Sequence, residues 1–147
     1  PGSEIAAQES IDLNTDITIG DWTARVTGME FSSTYSAGFG SYSADEGETF
    51  AIVHMTVTNN GTTASTFLTN QSFSSDGIKS KLYYQGKYEF SCANFLTADN
   101  DLNLTYVEPL STKNGDVVFS ISDTIAESNE EFSLVLSLGG STYTFKL

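Results

Sequence analysis

The chain has one cysteine, one histidine, two prolines and only six lysines and arginines in 147 residues. Each shortage excludes something. Cys92 has no partner for an intradomain disulfide, so the fold rests on its core, and a chain this long buries a proper core without covalent or metal staples. Cys92 also lies in an apolar-rich stretch with no histidine beside it, which reads as a small buried hydrophobe rather than a nucleophile. A single histidine, His54, rules out a site built on two histidines and leaves a histidine-dependent triad with one possible base. Arg25, Lys79, Lys81, Lys87, Lys113 and Lys146 oppose 19 carboxylates, for a formal net charge of −13. That balance disfavours nucleic acid and anionic membrane surfaces, both of which require clustered positive charge. No apolar run approaches the length of a membrane span, and no signal-peptide pattern opens the chain. Nowhere do strong helix formers recur at 3.6-residue spacing for three turns.

What is present is strand. The last sixteen residues are written as a β-hairpin: Phe132, Leu134, Leu136 and Leu138 alternate with polar neighbours, then come Gly139-Gly140 and Ser141 to Leu147. A two-glycine loop supports a type I′ turn. It sets Leu138 opposite Ser141, Leu136 opposite Tyr143, Leu134 opposite Phe145 and Phe132 opposite Leu147, with the large apolar side chains on one face. Trp22, Ala24 and Val26 alternate in the same way, and the parity flips after Gly28 to Met29 and Phe31, the mark of a β-bulge. Thr49 to Thr58 reads as a central strand with Ala51, Val53, Met55 and Val57 on one face and Phe50, Ile52, His54 and Thr56 on the other, ended by Asn59-Asn60-Gly61. Further strands are expected at Ile78 to Tyr84, Leu102 to Val107 and Val117 to Ile121, with turns at Asp76-Gly77 and Lys113-Asn114-Gly115. The Gly- and Ser-rich stretch Phe31 to Glu48 reads as a long loop carrying Tyr35, Phe39 and Tyr42. Such spacing predicts an all-β, antiparallel sandwich in a single domain. Residues 1–15 are expected to be a cloning remnant and flexible tether, and 16–147 the domain.

The strand Phe50-Ala-Ile-Val-His-Met-Thr-Val-Thr58 ending in Asn59-Asn60-Gly61, then Phe73 with Asp76-Gly77, Lys113-Asn114-Gly115-Asp-Val-Val-Phe119 and Phe132-Ser-Leu-Val-Leu136 together resemble one widespread bacterial domain. It is the domain of unknown function of Gram-positive lipoproteins, related in fold to the mycobacterial immunoprotective extracellular antigen. The resemblance implies an immunoglobulin-like sandwich held outside the cell by a lipid on a cysteine upstream of the tether. It brings no catalytic residues. Members of that family often have a short link where this chain has Phe31 to Glu48.

Three sets of residues are candidates for chemistry. Tyr35, Phe39 and Tyr42, with Tyr84 and Tyr88 beside the turn Gln85-Gly86-Lys87, could stack on sugar rings or anchor a protein partner. Asp99, Asp101 and Asn103 place oxygens at alternate positions as a calcium loop does, but Leu104 and Leu110 stand where an EF-hand needs Gly and Glu. Asp45-Glu46-Gly47-Glu48 is a second acidic run of no particular spacing. His54 shares its strand face with Phe50 and Ile52 and has no serine motif near it, so it is expected to be structural. Asn60, Asn70 and Asn103 match the N-glycosylation pattern, as chance allows in a chain so rich in Ser and Thr. The expectation is therefore a non-enzymatic, cofactor-free, cell-surface module binding an extracellular protein or glycan. A calcium-assisted carbohydrate binder is the second reading.

Overall fold

The computed structural model describes residues 10–37, 40–69, 77–93 and 101–147. Phe39, Phe73, Asp76 and Asp99 lie outside them. One antiparallel sheet contains β1 (Ile17–Ile19), β2 (Trp22–Ser32), β5 (Glu48–Asn59) and β10 (Thr112–Ser122), in the order β1-β2-β5-β10. The other contains β7 (Lys79–Tyr84), β8 (Tyr88–Ser91), β11 (Phe132–Leu138) and β12 (Ser141–Lys146), in the order β12-β11-β7-β8. Two small ribbons, β3 (Thr34–Ala37) with β4 (Gly40–Ser43) and β6 (Ser65–Thr66) with β9 (Tyr106–Val107), and the one-turn α1 (Asp123–Ala126), complete the described elements. The two four-stranded sheets are the layers of an immunoglobulin-like sandwich.

The alternation read from the sequence is what closes the two layers. Ala51, Val53, Met55 and Val57 of β5 join Leu134, Leu136 and Phe145 in one core, each almost wholly removed from water. The β11–β12 register is the expected one: Leu138 pairs with Ser141, Leu136 with Tyr143 and Leu134 with Phe145, and Leu147 N donates to Phe132 O at 3.1 Å. Only Gly139 takes a positive φ, +60°, so the turn follows the type II′ rather than the type I′ pattern, and both leave the same register. The bulge falls between Val26 and Gly28 as the parity flip demands.

Three expectations are corrected. Phe31 to Glu48 is not an open loop: β3 and β4 pair within it, Tyr35 opposite Tyr42. The ribbon packs on the outside of the first sheet, where Phe50, Ile52 and Val118 form a second small core with Tyr35 and Tyr42. Lys113-Asn114-Gly115 is not a turn but the start of β10, paired with Val57, Thr56 and Met55. Cross-strand hydrogen bonds outweigh the local turn preference of Asn-Gly there. Of Leu102 to Val107 only Tyr106 and Val107 are strand, because Asp101 O instead accepts from Leu104 N and Thr105 N. Ahead of Asp16, Ile11 already bridges to Phe145, accepting from Lys146 N and donating to Thr144 O.

Candidate functional site

The outer face of the first sheet gathers the polar chemistry. His54 sits in β5 opposite Asp116 of β10 and Gly28 of β2, so its ring stands between strands that each carry one carboxylate, Glu30 and Asp116. His54 Nδ1 lies 2.7 Å from Asp116 Oδ1, and Nε2 lies 3.6 Å from Glu30 Oε1. Tyr35, only 5% exposed beneath the β3–β4 ribbon, donates its hydroxyl to Asp116 Oδ2 at 3.0 Å. Burial pushes the Tyr35 phenol far above its ordinary value, and the charge of Asp116, its hydrogen bond and the charge of Asp101 push it the same way. The phenol is thus a permanent donor that fastens the ribbon to the sheet. His54 shares its face with Phe50 and Ile52 as expected. Asp116 was hidden, since reading Lys113-Asn114-Gly115 as a turn gives β5 no partner strand there, and Glu30 reaches the ring only through the β2–β5 register. Among the described residues, no hydroxyl or thiol nucleophile hydrogen-bonds to Nε2.

Asp101 is 3% exposed and bridges in parallel to Asp116 beside this network. Its Oδ1 accepts from Asn103 N at 2.9 Å and from Asn103 Nδ2 at 3.0 Å. Burial raises the Asp101 carboxyl above its ordinary value; the two Asn103 bonds pull it back, and the charge of Asp116 adds to the rise. One oxygen of the candidate metal run is therefore consumed within the run. Among the described residues no group of three His, Cys, Asp or Glu side chains is placed to hold a metal ion. Cys92 is half-buried against the main core, where its Sγ accepts from Asn103 Nδ2 at 3.6 Å.

The aromatic candidates separate in space. Tyr35 and Tyr42 belong to the second core. Tyr84 and Tyr88 flank a turn in which Gln85 (φ +55°) and Gly86 (φ +73°) are both left-handed, the type I′ pattern that closes β7 onto β8. That turn brings Tyr84 within 5.3 Å of Phe132 and 6.0 Å of Tyr88, ring centre to ring centre, and Phe31 of the other sheet stands 5.6 Å from Phe132. The result is a row, Phe31, Phe132, Tyr84, Tyr88, across one end of the sandwich. Its two outer rings are open, Phe31 at 41% and Tyr88 at 51%. Lys87 Nζ lies 5.4 Å from the Tyr88 ring centre. Phe31, which the sequence marks only by its parity, is the member that joins the two sheets.

No family model matches the chain, and no curated protein matches it. Among solved structures it is similar to an uncharacterized β-sandwich protein of Clostridium difficile 630, with 17% identity, 98% of this chain and 99% of that one covered, and a TM-score of 0.67. It is similar to the yjhA protein of Bacillus subtilis, with 12% identity, coverage of 92% and 98%, and a TM-score of 0.58. A third likeness is to a candidate lipoprotein, ycdA, of Bacillus subtilis subsp. subtilis str. 168: 14% identity, 90% of this chain but 38% of that one, TM-score 0.56. At these identities the likeness is one of fold, and the class it defines is the all-β sandwich domain.

Proposed function

We propose that the protein is a non-enzymatic, extracellular binding module that docks onto a protein partner through the aromatic end of its sandwich. The observation that carries this reading is the row Phe31, Phe132, Tyr84, Tyr88, which leaves two large rings in water where a monomer gains nothing by exposing them. Tyrosine and phenylalanine at a rigid strand end are typical interface anchors, because little side-chain freedom is lost when they are covered. A flat sugar face asks for coplanar rings, whereas neighbours in this row are tilted by 36° to 59°. The tilt favours an irregular protein surface.

In the same reading the module is held to the cell surface by a lipid on a cysteine upstream of residue 1. It belongs with the Gram-positive lipoprotein domains related to the mycobacterial immunoprotective extracellular antigen. Support comes from the strand and turn marks of the sequence and from the likeness to ycdA, itself a candidate lipoprotein.

The test is a screen of the native domain against a displayed library of extracellular protein segments and a glycan array in parallel. Protein segments whose affinity falls about 30-fold in Phe31→Ser/Tyr88→Ser are expected, the loss of roughly 2 kcal/mol of anchor contact. Binding found on glycans alone, or indifferent to that pair, would sink the reading.

A further inference from the structure

We propose that a cleft at the opposite end of the sandwich is a binding site for a small organic cation with an apolar or aromatic body. β2 starts at Trp22 and ends beside Phe31, so this cleft lies a strand length from the aromatic row and is independent of it. It holds about 320 Å³ and is lined by Asp21, Trp22, Ser65, Phe67, Ile78 and Leu138 among others. That volume falls at the small end of ligand sites, which run from about 300 Å³ upward. Trp22 and Phe67 meet edge to face at 5.2 Å and 77°, giving an aromatic wall held by the main core. Two of the lining residues are glycines with no room for a side chain. A Cβ on Gly20 (φ +57°) would sit 2.9 Å from Leu138 Cδ2, and one on Gly77 (φ +90°) would meet the Thr69 side chain at 2.5 Å. Backbone and side chain thus approach as closely as glycine permits at both positions.

Charge selects the ligand. Among the described residues Asp21 is the one ionisable side chain in the lining, and among them its carboxylate has no hydrogen bond or ion pair. Lys79 is close in the fold but does not line the cleft; its ammonium is turned onto the Thr69 carbonyl. Hydroxyl oxygens of Ser65, Thr66 and Thr69 add acceptors, and the net charge of −13 adds a field that draws in cations and repels anions. An aromatic wall beside a free carboxylate suits an ammonium on a short apolar stem, through cation–π and ionic contact together.

Trp22 is the only tryptophan in the chain, so its emission reports the cleft directly. The whole chain is titrated with phenethylamine, with 2-phenylethanol as the neutral isostere and 3-phenylpropanoate as the anion. A saturable emission change with the amine is expected, at least about tenfold weaker for the alcohol and absent for the anion. Asp21→Asn should cut amine affinity about tenfold, while the alcohol responds as before. No saturable response to the amine, equal response to amine and alcohol, or an amine affinity unchanged in Asp21→Asn would each overturn the proposal. The comparison of the three probes on the native chain stands even if Asp21→Asn does not fold.

Discussion

Replacing Tyr35 by Phe removes one oxygen and leaves the ring in place against Phe50, Ile52 and Val118, so the variant isolates the bond that ties the β3–β4 ribbon to the sheet. A hydrogen bond to an ionised group contributes about 1.5–3 kcal/mol. The Asp116 side chain is 13% exposed, so water can partly serve the vacated Oδ2, and His54 Nδ1 still serves Oδ1. The expected loss is therefore at the low end, about 1–2 kcal/mol, read as a shift of the urea midpoint with unchanged slope at pH 7. A cycle with Asp116→Asn should return most of that energy as coupling. The difference also has a pH signature. Because the folded phenol is raised, the unfolded chain loses its proton first, near the ordinary value of about 10, and the stability Tyr35 contributes drains away above that pH. A loss under about 0.3 kcal/mol, or no coupling to Asp116, would mean the ribbon is an unattached loop, as its Gly and Ser content alone suggests.

Leu134 is wholly buried between Leu82 and Phe145, so Leu134→Ala removes three carbons and leaves a cavity, destabilising by about 3–5 kcal/mol in a denaturant melt; a loss under about 1 kcal/mol would put that face in water. Asp101→Asn keeps the oxygen that Asn103 holds and removes a charge whose folded value is raised. The variant should be more stable than the parent at pH 7, with the gap closing below about pH 4, where the parent's carboxyl is protonated in both states; a gap independent of pH would refute the burial argument. Leu110 is 81% exposed at φ +63°, the third position of a Pro109 turn closed by Ser111 N on Glu108 O, so Leu110→Gly relieves strain and should raise stability by about 0.5–1 kcal/mol net of its greater unfolded freedom. A destabilised Leu110→Gly would show the side chain to be packed.

The β11–β12 hairpin was legible because turn chemistry and period-two alternation agree. The Gly28 bulge was legible because a strand that keeps one face buried while its apolar parity flips has to carry an extra residue at the flip. The ribbon was not legible from its own residues. Its signal lies in β5, where Phe50-Ala51-Ile52-Val53 is apolar on both faces; such a strand has to be covered on both, and Tyr35 and Tyr42 supply the second cover. Lys113-Asn114-Gly115 misleads because turn preference is local while its pairing with β5 is not. The His54 network suffers from the same distance: Glu30, Tyr35 and Asp116 come from separate strands, and only the register brings them together. Oxygen spacing in Asp99 to Asn103 said nothing of Asn103 turning its donors onto Asp101. The aromatic end was half legible, through Tyr84 and Tyr88, while Phe31 needed the other sheet.

A hydrogen-exchange footprint of the native domain, free and saturated with a protein segment selected by it, reads the docking surface without any substitution. Protection is expected at Phe31 to Ser32, at Tyr84 to Tyr88 and at the start of β11, with Glu30, His54 and Asp116 exchanging as in the free domain. Protection centred on the His54 face instead, with the aromatic end unchanged, would contradict the assignment of that end as the binding surface.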